Sequence, residues 1–202
     1  MPPLETATPL LVLAVVLGYL LGSVPFGLVW ARVFGLGDVR QIGSGNIGAT
    51  NVLRTGNKLA AFLTLLFDAG KAGFAVLIAR ALAGEDAVQL AGLAAFLGHC
   101  FPIWLGFKGG KGVATFIGLM LALHWPAGLA CCATWLVIAA LFRYSSLAAM
   151  FTGLMSPVYL LLTEYGIGVL LGVVLGFLIY ARHWENTHRL RAGTEPKIGQ
   201  KR

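Results

Sequence analysis

Three short stretches of the chain carry residue types that can do chemistry on a phosphorylated molecule. The run Gly43-Ser44-Gly45-Asn46-Ile47-Gly48-Ala49-Thr50-Asn51, followed by Arg54, places three glycines within six residues. Glycine lets a backbone turn tightly and present N–H groups with no Cβ in the way. Ser44, Asn46, Thr50 and Asn51 add neutral hydrogen-bonding groups, and Arg54 adds a planar bidentate cation. Such a set suits a cluster of anionic oxygens, phosphate above all. A flexible polar loop is the plain alternative, and the Gly-Lys-Ser/Thr ending of a nucleotide-binding loop is absent. The second stretch, residues 106–115, frames Lys108 and Lys111 with Gly106, Gly109, Gly110 and Gly112 and ends on Thr115. It lies where a helix should begin, so the N–H groups and positive dipole end of that helix add to the lysines. A purely topological role would account for the lysines but not for the glycines and the threonine. The third stretch, Arg182-His183-Trp184-Glu185-Asn186, spaces His183 and Asn186 three apart. They share a face if the last helix continues, although an interfacial anchor would use similar residues.

More polar groups sit inside apolar sequence. Asp68 and Lys71 interrupt a hydrophobic run, and His99 closes another. Charges in such places are costly and point to function. At i,i+3 the Asp68–Lys71 pair can neutralise itself, either shaping a site or touching a ligand, with His99 lining the same cavity.

The elements that must position these residues follow from composition. The chain has 202 residues, 58% hydrophobic and 11% charged, against about 25% charged in soluble domains. Apolar runs of spanning length recur throughout, without strand-like alternation, so the expectation is an all-α integral membrane protein forming one domain over residues 1–202. The runs are Pro9 to Ala31, Leu59 to Ala83, Ala87 to Leu105, Val113 to Phe142, Leu147 to Thr163 and Gly166 to Ala181. The fourth, broken by His124-Trp125-Pro126, would be about 45 Å long as a single helix, too long for a core of about 30 Å. Split in two, it brings Arg32, Arg40, Arg54, Lys58, Lys108, Lys111, Arg143, Arg182, Arg189, Arg191, Lys197, Lys201 and Arg202 to one side. The other side keeps Arg80 with Glu5, Glu85, Asp86 and Glu164. That asymmetry predicts seven transmembrane helices, N-terminus outside and C-terminus cytoplasmic. Gly18/Gly22 and Gly168/Gly172 read as small-residue packing pairs. Cys100, Cys131 and Cys132 read as small buried hydrophobes. A cleavable signal peptide is not expected, since Glu5 stands where basic residues would precede the first run.

Gly43–Asn51, Asp68-Ala69-Gly70-Lys71, Gly98-His99, Gly109–Thr115 and Arg182-His183 with Asn186 together resemble, in order and over essentially the whole chain, the bacterial acyl-phosphate:glycerol-3-phosphate acyltransferase family, PlsY. The local departure is Ala72, where the family is expected to have glycine. The resemblance implies seven helices, an active site on the cytoplasmic side of the bacterial inner membrane, and acyl phosphate as donor. It implies transfer to the sn-1 hydroxyl of glycerol 3-phosphate, giving 1-acylglycerol 3-phosphate, the first step of phospholipid biosynthesis. By the same resemblance Ser44, His183 and Asn186 are placed at the reacting centre. Gly43, Gly45, Asn46, Gly48, Thr50, Asn51, Arg54, Lys108, Lys111 and Thr115, with Ser44, are placed at the phosphates, and Asp68, Lys71 and His99 support them. The acyl tail is expected in an apolar groove between spans. The expected partners are the two substrates and membrane lipid, with no nucleic acid, cofactor or metal.

The residue chemistry is compatible with that reading. No histidine is followed by aspartate five positions on, so the His-x4-Asp pair of many acyltransferases is absent. No cysteine lies in a polar loop to form a thioester. Clustered carboxylates for a metal are also lacking. An acyl phosphate is already activated, so aligning a hydroxyl and stabilising developing negative charge suffices. Whether His183 or a donor phosphate oxygen takes the proton stays open. An anion transporter would use similar loops but calls for internal repeats and a mid-membrane site. A non-catalytic subunit reading anionic lipid would need the basic charge but not Gly-Ser-Gly-Asn.

Overall fold

The computed structural model describes residues 2–200, and among them the regular elements are all helical. Lys201 and Arg202, counted above in the basic tail, lie outside the described residues. The chain forms two compact units, residues 3–123 and Pro2 with residues from 124 onward.

The first unit contains α1 (Thr8–Gly22), α2 (Phe26–Val33), α3 (Ala49–Val52), α4 (Lys58–Leu82), α5 (Glu85–Cys100) and α6 (Val113–Leu123). The first apolar run is not one helix, as expected, but two. Pro25 has no N–H to donate and disfavours helical backbone at Val24 before it. The ladder therefore stops at Ser23, and the amides of Leu28 and Val29 restart on the Pro25 carbonyl. Asn57 caps α4 by accepting from the Ala60 amide at 2.9 Å, a contact worth about 1 kcal/mol. Asp86, at the start of α5, ties down the N-terminal segment. It accepts from the amides of Glu5 and Thr6 and from the Thr6 hydroxyl.

Packing within this unit is by small residues. Its core includes Ala60, Ala72, Ala75, Ala79, Ala87, Ala91 and Ala95, while Leu65, Leu66, Phe74 and Ile78 of α4 are exposed. Lipid tails are as apolar as leucine, so helices associate through close contact and large side chains face outward. Gly18 of the expected pair meets the Ala91 carbonyl, where an added Cβ would lie 2.6 Å from the oxygen, and Gly22 meets Ala95 in the same way.

The second unit holds α7 (Trp125–Phe142), α8 (Ser145–Leu162), α9 (Val169–Arg182) and α10 (Trp184–Arg191). The long run therefore does divide at His124, which has extended backbone, with Pro126 in the first turn of α7. The second glycine pair is shifted from expectation. Gly168 packs on the Tyr165 ring, and Gly172 and Gly176 are the residues that approach α8.

Among the described residues, five segments are long and apolar enough to cross a membrane: Thr8–Val33, Lys58–Leu82, Glu85–Leu105, Trp125–Phe142 and Ser145–Leu162. Gly166–Arg182 qualifies only together with Trp184–Arg191, from which it is bent by 60°. Helix α6 has 11 residues, about 16 Å at 1.5 Å per residue. Its last carbonyls, Ala122 and Leu123, accept from Arg80 at 2.6 and 2.9 Å.

Candidate active site

In the first unit, loop one (residues 34–57) is built around Asn51, which is 1% exposed. Its amide oxygen accepts from the Ser44 backbone N–H at 3.1 Å, the Ser44 hydroxyl at 3.4 Å and the Arg54 guanidinium at 3.0 Å. Its amide nitrogen donates to the Val39 carbonyl at 2.7 Å. Asn51, expected among the phosphate-binding residues, thus has both polar atoms engaged within the loop and holds Ser44 and Arg54 in place. Gly43 lies directly against that cluster at φ +56°, where a Cβ would come 2.6 Å from Arg54 Cδ. The Gly45 amide closes a turn on the Ile42 carbonyl at 2.9 Å. Ser44, Gly45, Thr50 and Arg54 are exposed, and Asn46 and Gly48 are half-buried. Asp38 accepts from Arg40 at 2.7 Å. The side-chain hydrogen bond from Arg40 pulls the Asp38 carboxyl down to about 2, so Arg40 carries its own counter-ion.

Loop two follows α5. Gly109 and Gly110 turn back on that helix, their amides donating to the carbonyls of Cys100 and His99 at 3.1 Å each. These two N–H groups hold the loop to α5, where the sequence suggested donors for a ligand. Lys108 is exposed and Lys111 half-buried. Thr115, in the first turn of α6, is fully buried, and its hydroxyl has no hydrogen-bond partner among the described residues.

Asp68, Lys71 and His99 are brought together. The Lys71 ammonium donates to Asp68 Oδ1 at 2.8 Å and to the Val24 carbonyl at 2.8 Å, and lies 2.9 Å from His99 Nδ1. All three side chains are at most 4% exposed. The break at Pro25 releases the Val24 carbonyl from a continuous helical ladder, which is what supplies Lys71 with that acceptor. Removing one partner of a buried ion pair costs about 3–5 kcal/mol, so the triad is a strong local constraint.

In the second unit, His183 and Asn186 do not lie on one continuing helix, because the chain bends at His183, which ends α9 and begins α10. Both are buried, at 3% and 4% exposure. His183 Nδ1 lies 2.8 Å from the Ile179 carbonyl. A carbonyl only accepts, so Nδ1 carries a proton and donates to it. The Asn186 amide nitrogen donates to Glu195 Oε1 at 2.6 Å. The Ser146 hydroxyl donates to the same oxygen at 2.7 Å, and Arg189 Nε donates to Oε2 at 2.7 Å. Burial pushes the Glu195 carboxyl up, but the hydrogen bonds from Ser146, Asn186 and Arg189 outweigh it and hold the group below its ordinary range. Ser146 and Glu195 were not singled out from the sequence. The available signal was an acid followed by proline, Glu195-Pro196, in a tail otherwise rich in cations.

An apolar groove of about 100 Å³ runs along Leu10, Leu17 and Leu21 of α1 and Ile78 and Leu82 of α4. It follows the half of α4 remote from loop one, so it gives no support to a donor-tail site beside that loop.

A family model described as glycerol-3-phosphate acyltransferase matches residues 12–193. A glycerol-3-phosphate acyltransferase of Ruegeria sp. (strain TM1040) is 66% identical over 201 residues, with 100% of both chains covered. One from Jannaschia sp. (strain CCS1) is 62% identical, with 98% of each chain covered. Among solved structures, PlsY (YgiH), described as an integral membrane glycerol 3-phosphate acyltransferase in its glycerol 3-phosphate form, superposes with a TM-score of 0.88. It is 39% identical, over 94% of this chain and 96% of that one. A second PlsY structure, the lysophosphatidic acid form, gives 0.85 at 37% identity, covering 94% and 95% of the two chains. The chain therefore belongs to the glycerol-3-phosphate acyltransferase family of integral membrane proteins, the PlsY family.

Proposed function

We propose that this protein transfers an acyl group from acyl phosphate to the sn-1 hydroxyl of glycerol 3-phosphate, releasing 1-acylglycerol 3-phosphate and inorganic phosphate. The observation that carries the reading is the whole-chain likeness to a PlsY solved with glycerol 3-phosphate. The family match spans most of both units, which supports one functional domain over residues 1–202. The charge asymmetry supports seven crossings in a bacterial inner membrane, N-terminus outside, with the chemistry at the cytoplasmic face.

The hydroxyl oxygen attacks the acyl carbonyl carbon, the C–O bond to phosphate breaks, and the phosphate leaves with the electron pair. The proton of the hydroxyl passes to His183 Nε2 or to an oxygen of the donor phosphate. Arg54 and Lys111, with Lys108 assisting, hold the phosphates, joined by Ser44, Asn46 and Thr50. Gly43, Gly45 and Gly48 shape the loop, and Asn51 positions Ser44 and Arg54. The buried unpartnered hydroxyl of Thr115 supports a polar ligand at the start of α6. Asn186 orients the reacting hydroxyl; its amide nitrogen is held by Glu195 at 2.6 Å, which fixes the side chain. No cofactor or metal enters this scheme.

The test is purified protein with acyl phosphate and radiolabelled glycerol 3-phosphate, followed by lipid extraction. Labelled 1-acylglycerol 3-phosphate is expected with acyl phosphate and without added metal. Equal rates with acyl-CoA, or loss of activity on chelation, would overturn the donor assignment.

A further inference from the structure

We infer that His99 is a positioning residue for loop two. Its ring packs against Gly110 and thereby sets where Lys111 and the first turn of α6 present their charge and donors. The inference rests on the reading that Lys111 contacts a substrate phosphate.

The first observation is the fit between His99 and Gly110. A Cβ built on Gly110 would collide with the imidazole, its three nearest neighbours being Nε2, Cε1 and Cδ2 of His99, the last two at 2.9 and 3.0 Å. Gly110 has no positive φ, so this position needs glycine because of the ring and not because of the backbone. Gly109, one residue earlier, is blocked differently: its Cβ would meet the carbonyls of His99 and Cys100. The backbone of His99 also accepts the Gly110 amide at 3.1 Å. Residue 99 thus holds residue 110 by main chain and side chain together, immediately before Lys111.

The second observation is what holds the ring. An ammonium has three N–H donors. Around Lys71 stand Asp68 Oδ1, the Val24 carbonyl and His99 Nδ1, all within 2.9 Å of the ammonium. His99 Nδ1 faces the Asp68–Lys71 pair, 2.9 Å from the ammonium and 3.5 Å from Asp68 Oδ1, so Nε2 is the ring atom turned toward Gly110. Asp68 in turn neutralises Lys71 at 2.8 Å. The ring's rotation is therefore determined from inside the bundle, and the Nε2 edge is the face packed against loop two.

A buried triad that only filled space would make its residues matter for stability and leave phosphate recognition untouched. A double-mutant cycle separates the two. In purified, folded enzyme we expect Gly110→Ala to raise the KM for glycerol 3-phosphate or acyl phosphate on the order of 10- to 100-fold, since small displacements of positioning groups have effects of this size. Adding His99→Ala should make room for the new methyl group, so the double variant should be less impaired than the product of the two single effects. His99→Ala should not relieve Gly109→Ala, whose obstacle is backbone. His99→Gln should restore part of the KM lost in His99→Ala, because its amide reaches as far as Nε2 and refills the space against Gly110. Strict additivity in the Gly110 cycle, or a His99→Ala enzyme that melts earlier with unchanged KM, overturns the inference. Lys111→Ala is run in parallel: normal kinetics there would sink the phosphate role of Lys111 and this inference with it. An impaired Lys111→Ala beside an additive cycle would sink this inference alone.

Discussion

Arg40 and Arg54 sit in the same loop, yet their neighbours give them different work. Arg40 spends its charge on Asp38, whereas Arg54 bonds the neutral amide of Asn51. A charge-assisted hydrogen bond is worth about 1.5–3 kcal/mol, so Arg54→Ala and Lys111→Ala should each lose roughly ten- to hundredfold in kcat/KM. Arg80→Ala, which removes the partner of the Ala122 and Leu123 carbonyls, should lower the melting temperature and leave the KM values alone. Near-normal kinetics for both loop variants would reduce these cations to topology signals. His183 is the other test at this scale. Its Nδ1 is occupied by Ile179, which fixes the ring but leaves both a positioning and a base role for Nε2. We expect positioning, so His183→Gln should bind normally and retain turnover within about 100-fold. A loss of three or more orders of magnitude, with the acidic limb of the pH–rate profile gone, would make His183 the base, since base catalysis supplies about 10²- to 10⁴-fold. Residue types were readable from the sequence because chemistry travels with side-chain identity. Their hydrogen-bond partners were not: nothing in the spacing told that Asn51 and the amides of Gly109 and Gly110 would bond within the chain.

At the scale of elements, the least legible features were helix breaks and what bridges them. The run from Pro9 to Ala31 looked continuous, although Pro25 carries the physical reason for its division. His183 and Asn186 would share one face if the last helix continued; instead it bends by 60° between Gly166–Arg182 and Trp184–Arg191. The bend is braced by Glu195, which reaches Asn186 nine residues away and Ser146 49 residues away in sequence. Contacts over such separations leave no periodic trace in a sequence. Hydrophobic runs do, and so the apolar helices were located closely, including the division of the long run at His124. The Glu195 brace makes a pH prediction. Its carboxyl titrates below the ordinary 4.5 when folded, so the stability it contributes is present above the unfolded value and is lost as pH falls through the lower folded one. The melting temperature should therefore fall on acidification from the ordinary 4.5 downward. Glu195→Gln should melt earlier than the parent at neutral pH and show a shallower fall across that window. An identical pH dependence in the two proteins would mean that the carboxylate does not brace α10.

For the whole molecule the question is which side of the membrane each loop occupies, and α6 is where it is decided. At 11 residues it extends about 16 Å, roughly half of a 30 Å core, and by length alone it is not a crossing. Charge argues otherwise. If α6 and α7 pass outward and back, Lys108, Lys111 and Arg143 fall on one side with the tail, and the acidic residues Glu85 and Glu164 fall on the other. If they make one passage, Arg143 and the tail part company with loops one and two, and the basic residues divide between the two faces against the usual bias. Arg80, the cation that the seven-crossing topology would leave on the outer side, is engaged by Glu85 and the end of α6, so it does not count against that topology. A short helix can be matched by local thinning of the bilayer at modest cost, so the charge argument outweighs the length argument. Single cysteines test it once Cys100, Cys131 and Cys132 have been replaced. Lys108→Cys, Arg143→Cys and Lys197→Cys should all react with an impermeant thiol reagent only in inverted vesicles, and Glu164→Cys only in right-side-out ones. Labelling of Arg143→Cys from the outside would make α6 and α7 a single passage and remove the seven-crossing topology. Labelling of Glu164→Cys and Lys197→Cys from the same side would instead deny that Gly166–Arg182 crosses at all.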